Sequence, residues 1–221
     1  MGDLYIVATP IGNLEDITLR ALRILQSVSL IAAEDTRHSR KLLSHFNIHT
    51  RLTSYHEHNM QSKTAALLDS LAVGDVAIIT DAGTPGISDP GYELIAQALE
   101  MGIRVIAIPG ANAITTSLSA SGLPTDSFRF YGFPPRKDGE LRSYLAERAA
   151  FPETLIFYES PNRLVKTLSV MREVLGDRPA VVGLEVTKLF EEFARGTLSE
   201  LIVHFEREPI RGEVTLLVHG N

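Results

Sequence analysis

The chain has 221 residues, 44% hydrophobic and 22% charged, with a formal net charge of −6 and no cysteine. That composition is globular, and it lacks the global basic field that draws proteins to nucleic acid, so any such binding has to come from a local patch. The missing cysteines exclude disulfides, thiolate catalysis and cysteine-ligated zinc together. No signal peptide opens the sequence, no apolar run approaches the roughly 18 residues of a membrane span, and a cytoplasmic location without membrane partners is expected.

Short continuous apolar runs at 4–9, 28–33, 76–80 and 103–108 read as strands of a parallel sheet covered on both faces. They alternate with helical patterns at 16–26, 38–46, 61–73, 90–101 and 112–121, and residues 51–55 read as a short edge strand. In the first helix Ile17, Ala21, Leu22, Ile24 and Leu25 form the apolar stripe, with Asp16 as the expected N-cap. The turn-rich stretch from Ser121 to Ser127 separates this half from the alternating aromatic run Phe128 to Phe133, which reads as a new strand. A helix at 139–150, a strand at 154–158, a helix at 161–175, strands at 180–186 and 189–194, a helix at 197–206 and a strand at 213–218 follow. Neighbouring strands without helices between them imply a mixed sheet. The expected architecture is two α/β domains, 1–122 with a parallel sheet and 123–221 with a mixed one, and a cleft between them.

Four strands run into proline-containing loops of small polar residues. These are Thr9-Pro10-Ile11-Gly12-Asn13, Asp81-Ala82-Gly83-Thr84-Pro85-Gly86-Ile87-Ser88-Asp89-Pro90-Gly91, Pro109-Gly110-Ala111-Asn112-Ala113 and Glu159-Ser160-Pro161-Asn162-Arg163. Open α/β sheets bind ligands at the carboxyl ends of their strands, and four decorative turns of one design are a poor alternative to one composite pocket. Gly-x-Gly occurs nowhere, so the dinucleotide fingerprint is absent; so are a phosphate loop ending in Gly-Lys-Ser/Thr and a Gly-x-Ser-x-Gly elbow. His56-Glu57-His58 places two imidazoles two residues apart without a third ligand at metal spacing, so no metal is expected. A pocket of this kind favours a ligand gripped by backbone groups.

Taken in order, several motifs closely resemble the ribosomal RNA small subunit methyltransferase I family. They are Thr9 to Thr18, Ala33-Glu34-Asp35-Thr36-Arg37, Ser54-Tyr55-His56-Glu57-His58-Asn59, Asp81 to Gly91, Pro109-Gly110, Phe157 to Arg163 and Gly212-Glu213. The resemblance implies a tetrapyrrole methylase-like fold with S-adenosylmethionine in the cleft. It also implies 2′-O-methylation of a cytidine in small-subunit (16S) ribosomal RNA, free or in the assembled subunit, by a homodimer. A tetrapyrrole-type methyltransferase or a non-catalytic cofactor-binding protein on the same fold is the alternative. Members of the family usually continue past the last strand into a helical extension, whereas this sequence ends at Val218-His219-Gly220-Asn221. If that extension grips the substrate, cofactor binding is expected to exceed RNA binding.

The resemblance places Pro10, Gly83, Thr84, Pro85, Ile87, Asn112, Ala113, Tyr158 and Glu213 around the cofactor. Asn112 is read as a cofactor residue over a simple helix cap. Asp81 is open between the ligand and the amides of its own loop. Glu34-Asp35-Thr36-Arg37 is open between function and a salt bridge plus N-cap. Arg37, His38, Arg40 and Lys41 gather positive charge on an acidic chain, and arginine grips phosphate bidentately; this patch is assigned to RNA, with Arg163 and a weaker place for Arg136-Lys137. His58 and Asn59 are assigned to RNA beside His56. Transfer to a ribose hydroxyl needs alignment and a proton acceptor; the candidate bases are Asp35, His56 and Glu185, with Lys188 stabilising a developing alkoxide.

Overall fold

The computed structural model describes residues 1–207 and 210–221. The chain divides into two compact units, Met1–Asn112 and Ala113–Asn221.

In the first unit β1 (Leu4–Val7), β2 (Leu30–Ala33), β3 (Leu52–Ser54), β4 (Val76–Ile79) and β5 (Val105–Ile108) alternate with α1 (Leu19–Ser27), α2 (Thr36–His45), α3 (Met60–Leu71) and α4 (Tyr92–Glu100). The five strands form one sheet in the order β3-β2-β4-β1-β5, and every pairing is parallel. The apolar runs are continuous because both faces are covered. Leu4, Ile6, Ala32, Val76 and Ile78 pack under α3 and α4, through Leu67, Leu71, Leu94 and Ala98. Val7, Ile31, Ala33, Ala77 and Ile79 pack under α1 and α2, through Ala21, Leu25 and Leu43. Alternate residues of one strand thus serve opposite faces, as the two-residue strand period requires.

In the second unit the elements are α5 (Ala113–Ser121), β6 (Phe128–Phe130), α6 (Asp138–Ala146), β7 (Thr154–Glu159), α7 (Leu164–Leu175), β8 (Pro179–Leu184), β9 (Glu192–Thr197), α8 (Leu198–Arg207) and β10 (Val214–Val218). The sheet order is β6-β7-β10-β8-β9, with β6 parallel to β7 and the other pairs antiparallel. Leu155, Phe157, Val182 and Leu216 face α6, α7 and α8. Ile156, Val181 and Leu217 face Ile114 and Leu118 of α5. The boundary expected at 122 had assigned α5 to the first sheet; the helix buries its apolar side on the second, so the division falls at Asn112.

Three local expectations change. Asp16 does not cap α1: it closes a 3-10 turn over Leu14–Asp16, and Ile17 is extended (φ −72°, ψ 135°) before Thr18 accepts the Ala21 amide as the true N-cap. α2 starts two residues early because Asp35 caps it. β9 begins at Glu192 rather than 189, because Glu185 and Thr187 take positive φ (46° and 70°) and turn the chain back through Lys188 to Glu191. Thr18→Ala is expected to cost about 1 kcal/mol in urea unfolding and Asp16→Ala clearly less; the reverse order would restore Asp16 as the cap.

Candidate functional site

A parallel sheet brings the carboxyl ends of its strands to one edge. The connection from β1 moves toward β2 and β3, and the connection from β4 moves the other way, to β5. Adjacent strands β1 and β4 therefore flank the topological switch point, where such sheets open a crevice. The loops after these two strands are tied there. Thr9 and Gly83 exchange both backbone hydrogen bonds (2.9 and 3.1 Å), and Thr9 Oγ1 donates to Thr80 O at 3.1 Å. Pro10 is buried beside this bridge.

Toward β5, Gly83 takes φ +91°, and a Cβ built there would stand 3.5 Å from Ile11 Cγ2 and 4.0 Å from Ala111 O. Space is therefore available, and backbone conformation alone demands glycine. Ile87 N bonds to Thr84 O, Gly86 N to Pro90 O, and Asn112 Nδ2 reaches Thr84 Oγ1 at 3.4 Å. Ile87 is 44% exposed at the tip. Pro10, Asp81, Gly83, Thr84, Pro85, Ile87 and Asn112 thus share the edge of the first unit. The amides of Ala82, Thr84 and Ala111 have no acceptor among the described residues. An acceptor-rich small ligand fits those donors. Ala113 opens α5; Tyr158 and Glu213 lie in the second unit.

Toward β2 the edge is acidic. Asp81 Oδ1 accepts the Asp35 amide (3.1 Å) and Glu34 Oε2 the Asp81 amide (3.4 Å), so Asp81 is engaged with loop amides. Burial raises the Glu34 carboxyl. Asp89, in the same loop, is pushed up to about 7, by burial first and then by Glu34, with Asp81 adding less. Asp35 goes the other way: its bonds to the Arg37 side chain and amide hold it at about 2. It is an N-cap and ion-pair partner, ill suited to accept a proton near neutrality, while the Arg37 side chain remains 90% exposed. His38, Arg40 and Lys41 are also exposed on α2.

A cavity of about 310 Å³ opens between α2 and this edge. The β1 loop contributes Thr9, Pro10, Gly12 and Leu14, and the end of β4 contributes Thr80 and Asp81. From α2 come His38, Ser39, Lys41, Leu42 and His45. Ser39 is 2% exposed, and its hydroxyl has no hydrogen-bond partner among the described residues. Sequence reading passed over Ser39, Thr80, His45 and Asp89. The one available signal was a serine sharing the buried face of α2 with Leu42 and Leu43.

After β3, Asn59 organises a turn: Oδ1 accepts the His56 amide and Nδ2 donates to Ser54 Oγ and His56 Nε2. With Nε2 accepting, the neutral imidazole carries its proton on Nδ1, a buried atom without a partner among the described residues. The His58 ring stands 6.0 Å from that of His56. Among the described residues no group of three or more His, Asp or Glu is placed to hold a metal.

The second unit carries its own cluster. Lys188 Nζ lies 2.8 Å from Glu185 Oε1 and 3.3 Å from Glu213 Oε2, and Glu185 Oε1 also accepts the Glu213 amide. Lys188 holds the Glu185 carboxyl below its ordinary value, which makes it a weak base. Arg163 is committed internally: its Nη2 donates to Pro134 O and Pro135 O (3.0 Å each) and stands 3.3 Å from buried Glu159. Its geometry is that of a loop anchor. Tyr158 packs its ring on Phe130 and Phe133 (4.9 and 5.6 Å).

Comparison with known proteins defines the class. Residues 3–202 match the family model of Tetrapyrrole (Corrin/Porphyrin) Methylases. Cobalt precorrin-4 methyltransferase, a cobalamin biosynthetic enzyme, shares the fold with a TM-score of 0.72 at 18% identity, over 98% of this chain and 94% of that one. The ribosomal RNA small subunit methyltransferase I of Halalkalibacterium halodurans is 55% identical over 100% of this chain and 76% of its own length. That of Vibrio cholerae serotype O1 is 51% identical over 98% and 77%. Within the tetrapyrrole methylase fold, this chain belongs to the ribosomal RNA small subunit methyltransferase I family.

Two outcomes check the site. Gly83→Val is expected to lose at least about 1 kcal/mol through its left-handed backbone and to weaken cofactor binding in calorimetry; parent-like melting and binding would refute this. For Asp89, the unfolded carboxyl releases its proton near 3.8 and the folded one near 7. The folded state therefore binds more protons across that window, and stability falls as pH rises through it. Asp89→Asn should raise the melting temperature relative to the parent more at pH 8 than at pH 5. Equal shifts at both would remove Asp89 from the buried acidic cluster.

Proposed function

We propose that the protein is an S-adenosylmethionine-dependent methyltransferase that modifies the 2′-hydroxyl of a cytidine in small-subunit ribosomal RNA, as a cytoplasmic homodimer. The observation that carries this reading is the tied pair of loops at the β1/β4 switch point, in a chain about half identical to relatives of that name. S-adenosylmethionine supplies an electrophilic methyl group. The chain's part is to hold donor and acceptor in line, which is where most of the rate gain of such a displacement arises. Gly83, Thr84, Pro85 and Ile87, with Pro10 and Asn112, hold the cofactor. The unpartnered amides of Ala82, Thr84 and Ala111 support that assignment, since they match its acceptors.

The hydroxyl proton needs an acceptor. Asp35 and Glu185 are both held below their ordinary carboxylate values. Glu34 is raised instead, and Asp89 is pushed up to about 7, near the working pH at which a base is effective. His56 stands in the loop after neighbouring β3. The exposed cations of α2 take RNA phosphates, which reconciles RNA binding with a net charge of −6.

Labelled methyl transfer to isolated small subunits, free ribosomal RNA and uroporphyrinogen III tests the reading. Label is expected on RNA, in an alkali-resistant dinucleotide that marks a 2′-O-methyl group. Label on the tetrapyrrole alone would overturn it. For folded Arg37→Ala, the slope of log affinity for subunits against log salt should decrease by about 1. An unchanged slope would leave Arg37 as the partner of Asp35 alone.

A further inference from the structure

The cavity beside α2 is not needed to hold the cofactor. Of the residues given to the cofactor, only Pro10 and Asp81 line it; Gly83, Thr84, Pro85, Ile87 and Asn112 do not. The strand order β2-β4-β1-β5 explains the separation. The cavity lies toward β2, under the helix that follows that strand, and the loop residues lie toward β5. The two places meet at Pro10 and Asp81, and a transfer reaction needs such adjacency between donor and acceptor.

Its size and lining narrow what it takes. A volume of about 310 Å³ lies at the lower end of ligand pockets, the scale of one nucleoside and not of a macrocycle. Pro10, Leu14 and Leu42 give apolar walls against which a flat ring can lie. Asp81 and Ser39 add polar groups, and a buried hydroxyl without a partner is rare enough to require an explanation. A base or ribose edge supplies the missing partner. His38, Lys41 and His45 are exposed members of the lining, and Lys41 has no ion pair among the described residues. Apolar walls, inner polar groups and cationic exposed residues match the ring, the sugar and the phosphate of one nucleotide.

We propose that the cavity formed by α2, the β1 loop and the end of β4 receives the target pyrimidine nucleotide, drawn out of its strand. Pro10 and Asp81 separate it from the methyl donor, Ser39 bonds its base or sugar, and Lys41 takes its phosphate. This rests on the RNA methyltransferase reading and adds the substrate subsite. Enzymes that modify nucleotides commonly extrude the target into such a snug pocket.

The test uses the whole protein with cytidine 5′-monophosphate as probe, followed by saturation-transfer NMR, beside methyl transfer to unmethylated small subunits. Saturation is expected to reach the base protons with the parent. Ser39→Leu, which fills the cavity, should abolish this and lower methyl transfer at least about 100-fold, with cofactor affinity by calorimetry and melting temperature unchanged. Lys41→Glu, on the exposed face, should weaken the nucleotide about 10-fold. The idea is overturned if the parent gives no saturation transfer, or if folded Ser39→Leu binds and methylates like the parent. Should Ser39→Leu not fold, Lys41→Glu decides: parent-like nucleotide binding overturns the proposal. Nucleotide binding lost in both variants, with no methyl transfer to subunits even by the parent, would uphold the pocket and strike the methyltransferase reading instead.

Discussion

Parallel strands all end on one edge of their sheet, and that constraint organises the first unit. Every loop leaving a strand there must find hydrogen-bond partners or face solvent. At the switch point the β1 and β4 loops solve this mutually, through the paired Thr9–Gly83 amides and the Thr9 hydroxyl on Thr80. The bridge needs a left-handed residue at position 83, which glycine accepts. With the two loops locked, the rest of the edge follows. The β4 loop can close on itself through Thr84 and Pro90, Asn112 can reach Thr84, and the amides of Ala82, Thr84 and Ala111 are left without an acceptor among the described residues.

Charge is arranged by the same edge. Glu34, Asp81 and Asp89 share it, and two of the carboxyls are raised because burial and mutual repulsion disfavour a second and third negative charge. Asp35 escapes by pairing with Arg37 at the surface. The second unit treats its acids differently: Glu159 is 3% exposed yet satisfied by Ser160 N, Thr167 Oγ1 and Arg163. A buried carboxylate with three partners is a structural device. Removing Arg163 would strand it, and that ties the arginine to folding more strongly than any surface role.

Much of the fold was legible because its signals are local and repeated. Apolar runs with helical patterns between them, three of which (4–9, 76–80 and 103–108) end in Pro/Gly loops, leave little choice but a parallel sheet with its functional edge at those loops. What sequence missed was set by tertiary contacts. The apolar side of α5 reads the same whichever sheet covers it, so Ile114 and Leu118 gave no sign that they pack on Ile156 and Leu217. Asp16 and Thr18 are both good caps on paper, and the extended Ile17 decides between them. Arg163 looks like a free cation until its proline carbonyls are seen. Asp89 and Ser39 are ordinary residues whose character comes from tertiary surroundings: burial for both, and for Asp89 the neighbouring carboxylates as well.

The division between a loop-held donor and a helix-lined acceptor bears on how one fold serves different substrates. Backbone amides at strand ends recognise whatever carries acceptors, and they survive large changes of side chain. That is consistent with a cobalt precorrin-4 methyltransferase sharing this fold at 18% identity. Fold alone therefore says little about the acceptor molecule. On the proposed reading the acceptor side is built from α2, whose exposed residues tolerate change without loss of stability, since Leu42 and Leu43 already anchor the helix. Substrate class can then shift through exposed residues such as His38 and Lys41 while the Thr9–Gly83 bridge and the donor loops stay as they are. In a chain of net charge −6, the exposed cations of α2 beside the switch point are, on that reading, what turns a generic methyl-transfer scaffold toward RNA.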